Sequence, residues 1–324
     1  MKLFQAAGLL LLSATLMITG CSNPVKEPIE KTGIHFDTVI NIKLYDTDDT
    51  GLLENCFKFC DEFEQTVSRT LEASEIYKIN HAEGKPIEVS DVTIELLQKG
   101  IEYGELTSGK FDITIAPLSE LWDFKNNPGK LPTQNEIVEA LSHVNYKNII
   151  IEGNTVTLTD PKAAIDLGGI AKGYMADQLK EYLISEGVNS GLINLGGNML
   201  AIGTKPDGSD FNIGIQKPFD KQGTAITSVK TNDSSVVSSG VYERYFELND
   251  RIYHHILDTE KGFPYDNGLL SVTILSSESV DGDALSTACF ALGLDEGMKL
   301  INSLENTEAI FITNDYAIYD TRNK

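Results

Sequence analysis

The segment Ala164 to Asp177, AIDLGGIAKGYMAD, constrains this chain more than any other. A short apolar run, Ala163 to Leu167 broken only by Asp166, ends in two glycines. Beyond them Ile170, Tyr174, Leu179, Leu183 and Ile184 recur at helical spacing, with Gly187 placed to cap the end. The pattern predicts a strand end, a tight turn at Gly168-Gly169 and a helix. Glycines let backbone approach a ligand closely, and the first amides of a helix are unpaired donors with partial positive charge, so such a turn suits a phosphate. Lys172 in the first turn fits that reading, because a cation is unfavourable there without an anion beside it. The other reading is a plain strand-to-helix turn with Lys172 in solvent. The segment carries neither GxGxxG nor the P-loop pattern, so those two phosphate-binding folds lack their motif.

The N-terminus sets the compartment. Lys2 precedes a mostly apolar run from Leu3 to Ile18, short for a spanning helix, and then Ile18-Thr19-Gly20-Cys21. Small residues before a cysteine after such a run resemble a bacterial lipoprotein signal; the other reading is an ordinary signal peptide or a membrane anchor with an incidental cysteine. On the lipoprotein reading residues 1–20 are a signal peptide, 21–33 a lipidated N-terminus (lipid on Cys21) and tether, and 34–324 the folded domain. Each buried methylene contributes about 0.8 kcal/mol, so several acyl chains would hold an exported domain at the membrane face, outside the cytoplasm. The formal net charge of −22 argues against nucleic acid as a partner. It also makes an anionic ligand costly to bind without help, for which a divalent cation is one source. Cys56 and Cys60 share a helical stripe with Leu52, Leu53, Phe63 and Val67, so they and Cys289 read as buried apolar residues.

The remaining pattern groups strands apart from helices. Thr38 to Tyr45 alternates as a strand, Gly51 to Arg69 is an amphipathic helix, and Ser74 to Asn80 a short helix or turn. Ser90 caps a helix that Gly109 closes, Thr133 to Leu141 is a capped helix, and Asn148 to Leu158 a hairpin. Gly191 to Gly203 echoes the opening segment, INLGG after IDLGG, as if two strand ends lined one crevice. Strands follow over 211–216, 225–230, 235–239, 242–248, 251–257 and 269–275. Helices at 283–292 and 295–304 then precede strands at 309–313 and 317–319. The expectation is an α+β fold, mainly antiparallel sheet with packed helices.

Three features carry chemistry. Asp283 and Thr287 lie four apart, at what reads as a helix start, so a carboxylate and a hydroxyl share one face. Hard oxygen donors suit Mg²⁺; the plain alternative is a helix-terminal acid and a core hydroxyl. Asp281 nearby is a possible further carboxylate ligand. His254 and His255 precede Ile256-Leu257-Asp258, where a histidine beside a site can take a proton at neutral pH, or simply be structural. Lys110-Phe111-Asp112, leading to Thr114 and Trp122, has the composition either of a pocket wall for a planar ring or of an ordinary core loop.

FDITIAPL followed by LW, AIDLGGIAKGYMAD, INLGGN, the GIQKP turn, SSGVYERYF, YHHILDTEKGFP and DGDALSTACFALG occur in the order and spacing of the ApbE family. The chain resembles these membrane-associated FAD:protein FMN transferases from about Thr38 to Ile312. The resemblance implies an ApbE-like α+β domain with a central FAD/Mg cleft. The implied reaction is Mg²⁺-dependent transfer of FMN from FAD to a Thr or Ser hydroxyl, releasing AMP. The acceptor would be an exported or membrane flavoprotein bearing a D-x-x-S/T-G-A-S/T-like sequence. By motif position, Lys110, Phe111, Asp112, Asp166, Lys172 and the backbone around Leu257 would contact FAD. Gly169, Asp283 and Thr287 would hold Mg²⁺, and His255 would accept the proton. Phe36-Asp37-Thr38 stands where many members have Met-Gly-Thr. The same site with water as nucleophile would be an FAD pyrophosphatase giving FMN and AMP, and without catalysis a flavin-binding lipoprotein. The chain has no good acceptor sequence of its own, since Ser108-Gly109-Lys110 lacks both the following Ala-Thr and the preceding Asp.

Overall fold

Apolar alternation on both faces of the central strands dictates a sheet covered on both sides. The structure, a computed structural model, describes residues 27–126 and 128–323. The expected signal peptide, Cys21 and the first part of the tether lie outside the described residues. In chain order the elements are β1 (Ile29–His35), β2 (Thr38–Leu44), α1 (Thr50–Val67), α2 (Glu75–Asn80), β3 (Ile87–Glu88), α3 (Asp91–Leu106), α4 (Ala116–Trp122), α5 (Gln134–Leu141), β4 (Ile149–Glu152), β5 (Thr155–Leu158) and α6 (Ala171–Ser185). There follow β6 (Ser190–Leu195), β7 (Asn198–Gly203), β8 (Phe211–Gln216), β9 (Ala225–Thr231), β10 (Ser235–Gly240), β11 (Tyr245–Leu248), β12 (Arg251–His254), β13 (Leu269–Ser276), α7 (Ser279–Leu292), α8 (Leu294–Ser303), β14 (Thr307–Thr313) and β15 (Ile318–Asp320).

Eight strands form one sheet in the order β1-β2-β6-β7-β10-β13-β14-β15, antiparallel at every pairing. Ile40, Ile42 and Leu44 of β2, Ile193 and Leu195 of β6, and Ala309 and Phe311 of β14 face a layer of α1, α6, α7 and α8. On the opposite face Ala201, Val236, Leu275, Ile310 and Ile312 pack against the β8–β9 hairpin. A third, smaller core gathers Leu118, Trp122, Ile137, Phe246, Tyr253 and Leu257 from α4, α5 and the β11–β12 hairpin. Trp122 is 1% exposed and donates from Nε1 to the Gly262 carbonyl at 2.8 Å, so it belongs to this core rather than to a pocket wall. Cys56, Cys60 and Cys289 are free and buried, as apolar residues on their stripes should be. The mixed, mainly antiparallel α+β architecture is the one expected.

Several boundaries differ from expectation, each for a tertiary reason. Ile29–His35, whose first residues had been assigned to the tether, form the edge strand β1. They pair with the whole of β2, which would otherwise expose its own edge. Lys31 reinforces this pairing through an ion pair with Glu54 and a position over the Phe57 ring. Residues 163–167 are not a sheet strand, because Asn80 takes both backbone polar groups of Ile165, accepting at 2.7 Å and donating at 2.9 Å. Only an isolated parallel bridge joins Ile115 to Ala164. Ile184 is 49% exposed and lies off the buried stripe of α6. β12 ends at His254: the His255 amide still donates to the Arg244 carbonyl at 3.1 Å in the register of the hairpin, but the next carbonyl, that of Ile256, accepts from the Tyr265 amide at 3.1 Å, so the chain leaves β11 for the following turn. The largest shift is in α7, which begins at Ser279 rather than Asp283.

Candidate active site

Each polar group at the Gly168-Gly169 turn is placed by local chemistry. Asp166 Oδ1 accepts from the Gly168 amide at 2.9 Å, an Asx turn that redirects the chain. Neither glycine has a positive φ. What glycine supplies here is clearance, since a Cβ at Gly169 would stand 3.0 Å from the Phe111 ring. α6 then starts with no side-chain cap of its own. Among the described residues the amides of Gly169 and Lys172 make no hydrogen bond, so two donors remain directed from the turn.

Asp283, now in the second turn of α7 and 5% exposed, comes down onto this helix start. Its Oδ2 accepts from the Gly173 amide at 3.0 Å. Lys172 Nζ lies 3.3 and 3.4 Å from the two Asp283 oxygens and 3.2 Å from the Gly168 carbonyl oxygen. Thr287, one turn further along α7, is 3.0 Å from Ser239 Oγ at the end of β10. An ammonium held by a carboxylate and a carbonyl marks a place where oxygens converge on a positive charge. The donor set of Asp283, Thr287 and a Gly169 carbonyl is the hard kind that Mg²⁺ prefers, so these residues fit the ion the sequence implied. Among the described residues no three His, Cys, Asp or Glu side chains group as a metal cluster. Such an ion would draw on one carboxylate and mixed oxygens, leaving positions for water and phosphate. Asp281 does not join this set: it turns to α3, where Tyr103 donates to it at 2.5 Å and Lys99 lies at 3.4 Å.

The histidine pair separates cleanly. His254 is buried with both ring nitrogens engaged, Nε2 with the Tyr265 carbonyl at 2.9 Å and Nδ1 accepting from the Ile256 amide at 3.3 Å. His255 is half-buried, its Nδ1 is 3.3 Å from the Arg244 carbonyl, and its Nε2 makes no hydrogen bond among the described residues. Burial first, then the charges of Arg244 and Lys172 and the neighbouring His254, push its pKa well down. The ring is therefore neutral, with an unengaged nitrogen free to receive a proton.

The remaining expected residues form a second group. Phe111 packs edge-on against Tyr103 and beside Gly169. Asp112 turns inward, accepting from Thr114 at 2.6 and 2.8 Å and from the Tyr146 amide at 2.8 Å, while burial raises its pKa. Lys110 pairs with Glu260 at 2.7 Å, and Thr259 donates to the Gly109 carbonyl at 2.8 Å, tying the loop after Leu257 to this segment. Leu257 itself is buried in the third core and bridges Pro264. A cavity of about 400 Å³ is lined here by Gly109, Asp112, Tyr146, Thr259 and Glu260. Another, of about 320 Å³, is lined by Asp37, Phe124, Lys125, Glu243, Arg244 and Tyr245, beside the carbonyl that holds His255. Lys172, Asp283 and Thr287 line neither.

Two arginines were missed in the sequence. Arg69 bridges Asp166 at 3.2 Å and Glu120 at 2.9 Å, and Arg244 stands beside His255. Their only sequence signal was a cation next to a candidate segment, which is too common to choose by.

The fold and these groups can be set beside known proteins. The model of the ApbE family matches residues 36–311. An FAD:protein FMN transferase of Klebsiella pneumoniae is 36% identical over 277 residues, covering 85% of each chain. The crystal structure of the ApbE protein of Thermotoga maritima superposes with a TM-score of 0.84 at 31% identity, covering 91% of this chain and 97% of that one. The flavin transferase ApbE of Vibrio cholerae gives 0.80 at 27% identity, covering 91% and 96%. With the matched family segment spanning most of the chain and both glycine turns inside it, this protein belongs to the ApbE family.

Proposed function

We propose that this chain transfers the FMN half of FAD to a Thr or Ser hydroxyl of an exported or membrane flavoprotein, releasing AMP. The observation that carries the reading is the convergence of Lys172, Asp283 and two unpaired amides on one glycine turn, with a neutral histidine nearby. The names of the relatives, FAD:protein FMN transferase and flavin transferase, support the same chemistry.

In this reading FAD lies in a central cleft, with its pyrophosphate at the Gly168-Gly169 turn. The free amides of Gly169 and Lys172 and the Lys172 ammonium neutralise it. Asp283, Thr287 and the Gly169 carbonyl would hold Mg²⁺, which would supply charge stabilisation at the transferring phosphoryl group. Phe111, Asp112, Lys110 and the backbone at Leu257 line the remainder of the FAD site, and Asp166 keeps the turn in register. The acceptor hydroxyl attacks the FMN phosphorus in line with the departing AMP. One P–O bond forms and one breaks, and His255 Nε2 takes the hydroxyl proton. Burial is the main reason the free His255 is neutral; the anionic substrate offsets the further repulsion from Arg244 and Lys172, making it a stronger base when substrate is bound. Anchoring through Cys21 would place the site outside the cytoplasm, with acceptors of the D-x-x-S/T-G-A-S/T type on the same membrane face.

The test is mass spectrometry of an acceptor domain after incubation with the chain, FAD and Mg²⁺, with and without chelator. A chelator-sensitive gain of one FMN residue is expected. Free FMN and AMP without acceptor labelling would replace transferase by pyrophosphatase, and intact FAD throughout would leave a flavin-binding protein.

A further inference from the structure

α7 carries Asp283 and Thr287, yet it begins with no cap of its own: Glu278, at the N-cap position, makes no side-chain hydrogen bond to the helix. The cap comes from another helix. Asp177 of α6 accepts from the Ser279 amide through Oδ1 at 2.7 Å and from the Val280 amide through Oδ2 at 2.8 Å. One turn earlier on α6, Gly173 donates its amide to Asp283 at 3.0 Å. The two helices thus exchange carboxylates, each closing free amides at the start of the other. Gly173 lets them meet, because a Cβ there would lie 2.6 Å from the Val280 Cα.

We infer that Asp177 is a positioning residue for the cation site: by fixing the first turn of α7 on α6 it holds Asp283 against the Lys172–Gly173 backbone. This rests on the proposed reading that Asp283 and Thr287 hold a divalent ion. The reach is geometric. Asp283 uses one oxygen on the Gly173 amide, so the direction of the other is set by where α7 begins. Asp177 itself touches neither Lys172 nor Asp283 through any hydrogen bond among the described residues and lines neither cavity. Asp177→Asn keeps the shape but sets an amide NH₂ against one of the two backbone N–H groups, so one bond is replaced by donor facing donor.

The test is Mn²⁺ binding to the full chain with saturating FAD, followed by the electron paramagnetic resonance signal of free Mn²⁺, with thermal unfolding measured alongside. Residues that orient ligands without touching the metal typically alter affinity about 10- to 100-fold. The expectation is therefore a Mn²⁺ dissociation constant raised at least about tenfold in Asp177→Asn, with the folded near-ultraviolet spectrum retained. Mn²⁺ affinity within about twofold of wild type in the folded variant would overturn the inference while leaving the cation site standing. A wild-type chain that binds no Mn²⁺ would overturn both. Should Asp177→Asn not fold, Asp177→Ser, which still accepts one amide bond, carries the same test with the same outcomes.

Discussion

Gly173→Ala sets two opposing effects against each other. On helix propensity alone, alanine in α6 should stabilise by up to about 1 kcal/mol. The added methyl, however, meets backbone: it would stand 2.3 Å from the Ser279 carbonyl oxygen and 2.6 Å from the Val280 Cα, short of ordinary 3.4 Å contact by about 1 Å. Backbone cannot rotate away as a side chain can, so α6 and α7 must separate by roughly that distance. Three carboxylate–amide bonds, now 2.7, 2.8 and 3.0 Å, cross this contact and would stretch toward about 3.5 Å or beyond. Bonds to a charged group are worth about 1.5–3 kcal/mol each. Because the displacement need not lie along every bond, loss of one to two of them is the working expectation, for a net destabilisation of about 3 kcal/mol. Urea unfolding should show this as a lower midpoint at unchanged slope, and thermal unfolding as a fall of about 5 °C. A Gly173→Ala chain as stable as wild type, or more so, would show that the helices relax freely and that the close approach carries no energy.

Two further outcomes follow from the site. His255→Ala should lower kcat about 10²- to 10⁴-fold while FAD still binds, because a positioned base contributes that much. In the wild type, where His255 is held low by burial and by Arg244 and Lys172, the acid limb of kcat should lie at higher pH than that of kcat/KM; coincident limbs would contradict the offset by bound phosphate. Burial pushes Asp177 up to about 7 from an ordinary 3.8, so folding favours its protonated form. That contribution is full below about pH 4 and is lost as pH rises through about 7. The stability advantage of wild type over Asp177→Asn should therefore shrink by about 4 kcal/mol across that window, as unfolding at pH 4, 5.5 and 7.5 would reveal.

The elements that were legible in the sequence are those whose determinants are local. Ser90 and Thr133 cap α3 and α5 with their own side chains, the latter in a full capping box, and the apolar stripe of α1 repeats at helical spacing. What escaped depended on distant partners. The start of α7 is invisible locally because its cap is 102 residues upstream. Residues 163–167 look like a strand until Asn80, 85 residues away, takes the backbone bonds of Ile165. At the site, the glycine turn, Lys172 and Asp283 were readable as residue types suited to phosphate and cation. That Lys172 and Asp283 face each other, and that Asp281 does not join them, is a consequence of how α6 and α7 cross.

The two-sided burial of the central sheet removes a safeguard that half-exposed sheets enjoy. When one face is wet, a one-residue slip of a strand throws its apolar residues into water and is rejected at once. β13 and β14 bury apolar side chains on both faces, so a slip would merely exchange one greasy face for the other. The alignment of β13 on β10 is instead keyed by hydroxyl pairs, Ser235 with Ser276 at 2.9 Å and Ser238 with Thr273 at 2.8 Å, while a bulge at Leu269/Ser271 marks its register on β14. Ser239, next along β10, is the residue that meets Thr287. A mispaired strand would thus remain buried and compact while carrying its hydroxyl to the wrong side of the cation site. An error of this kind would cost the chain its site before it cost the sheet its burial.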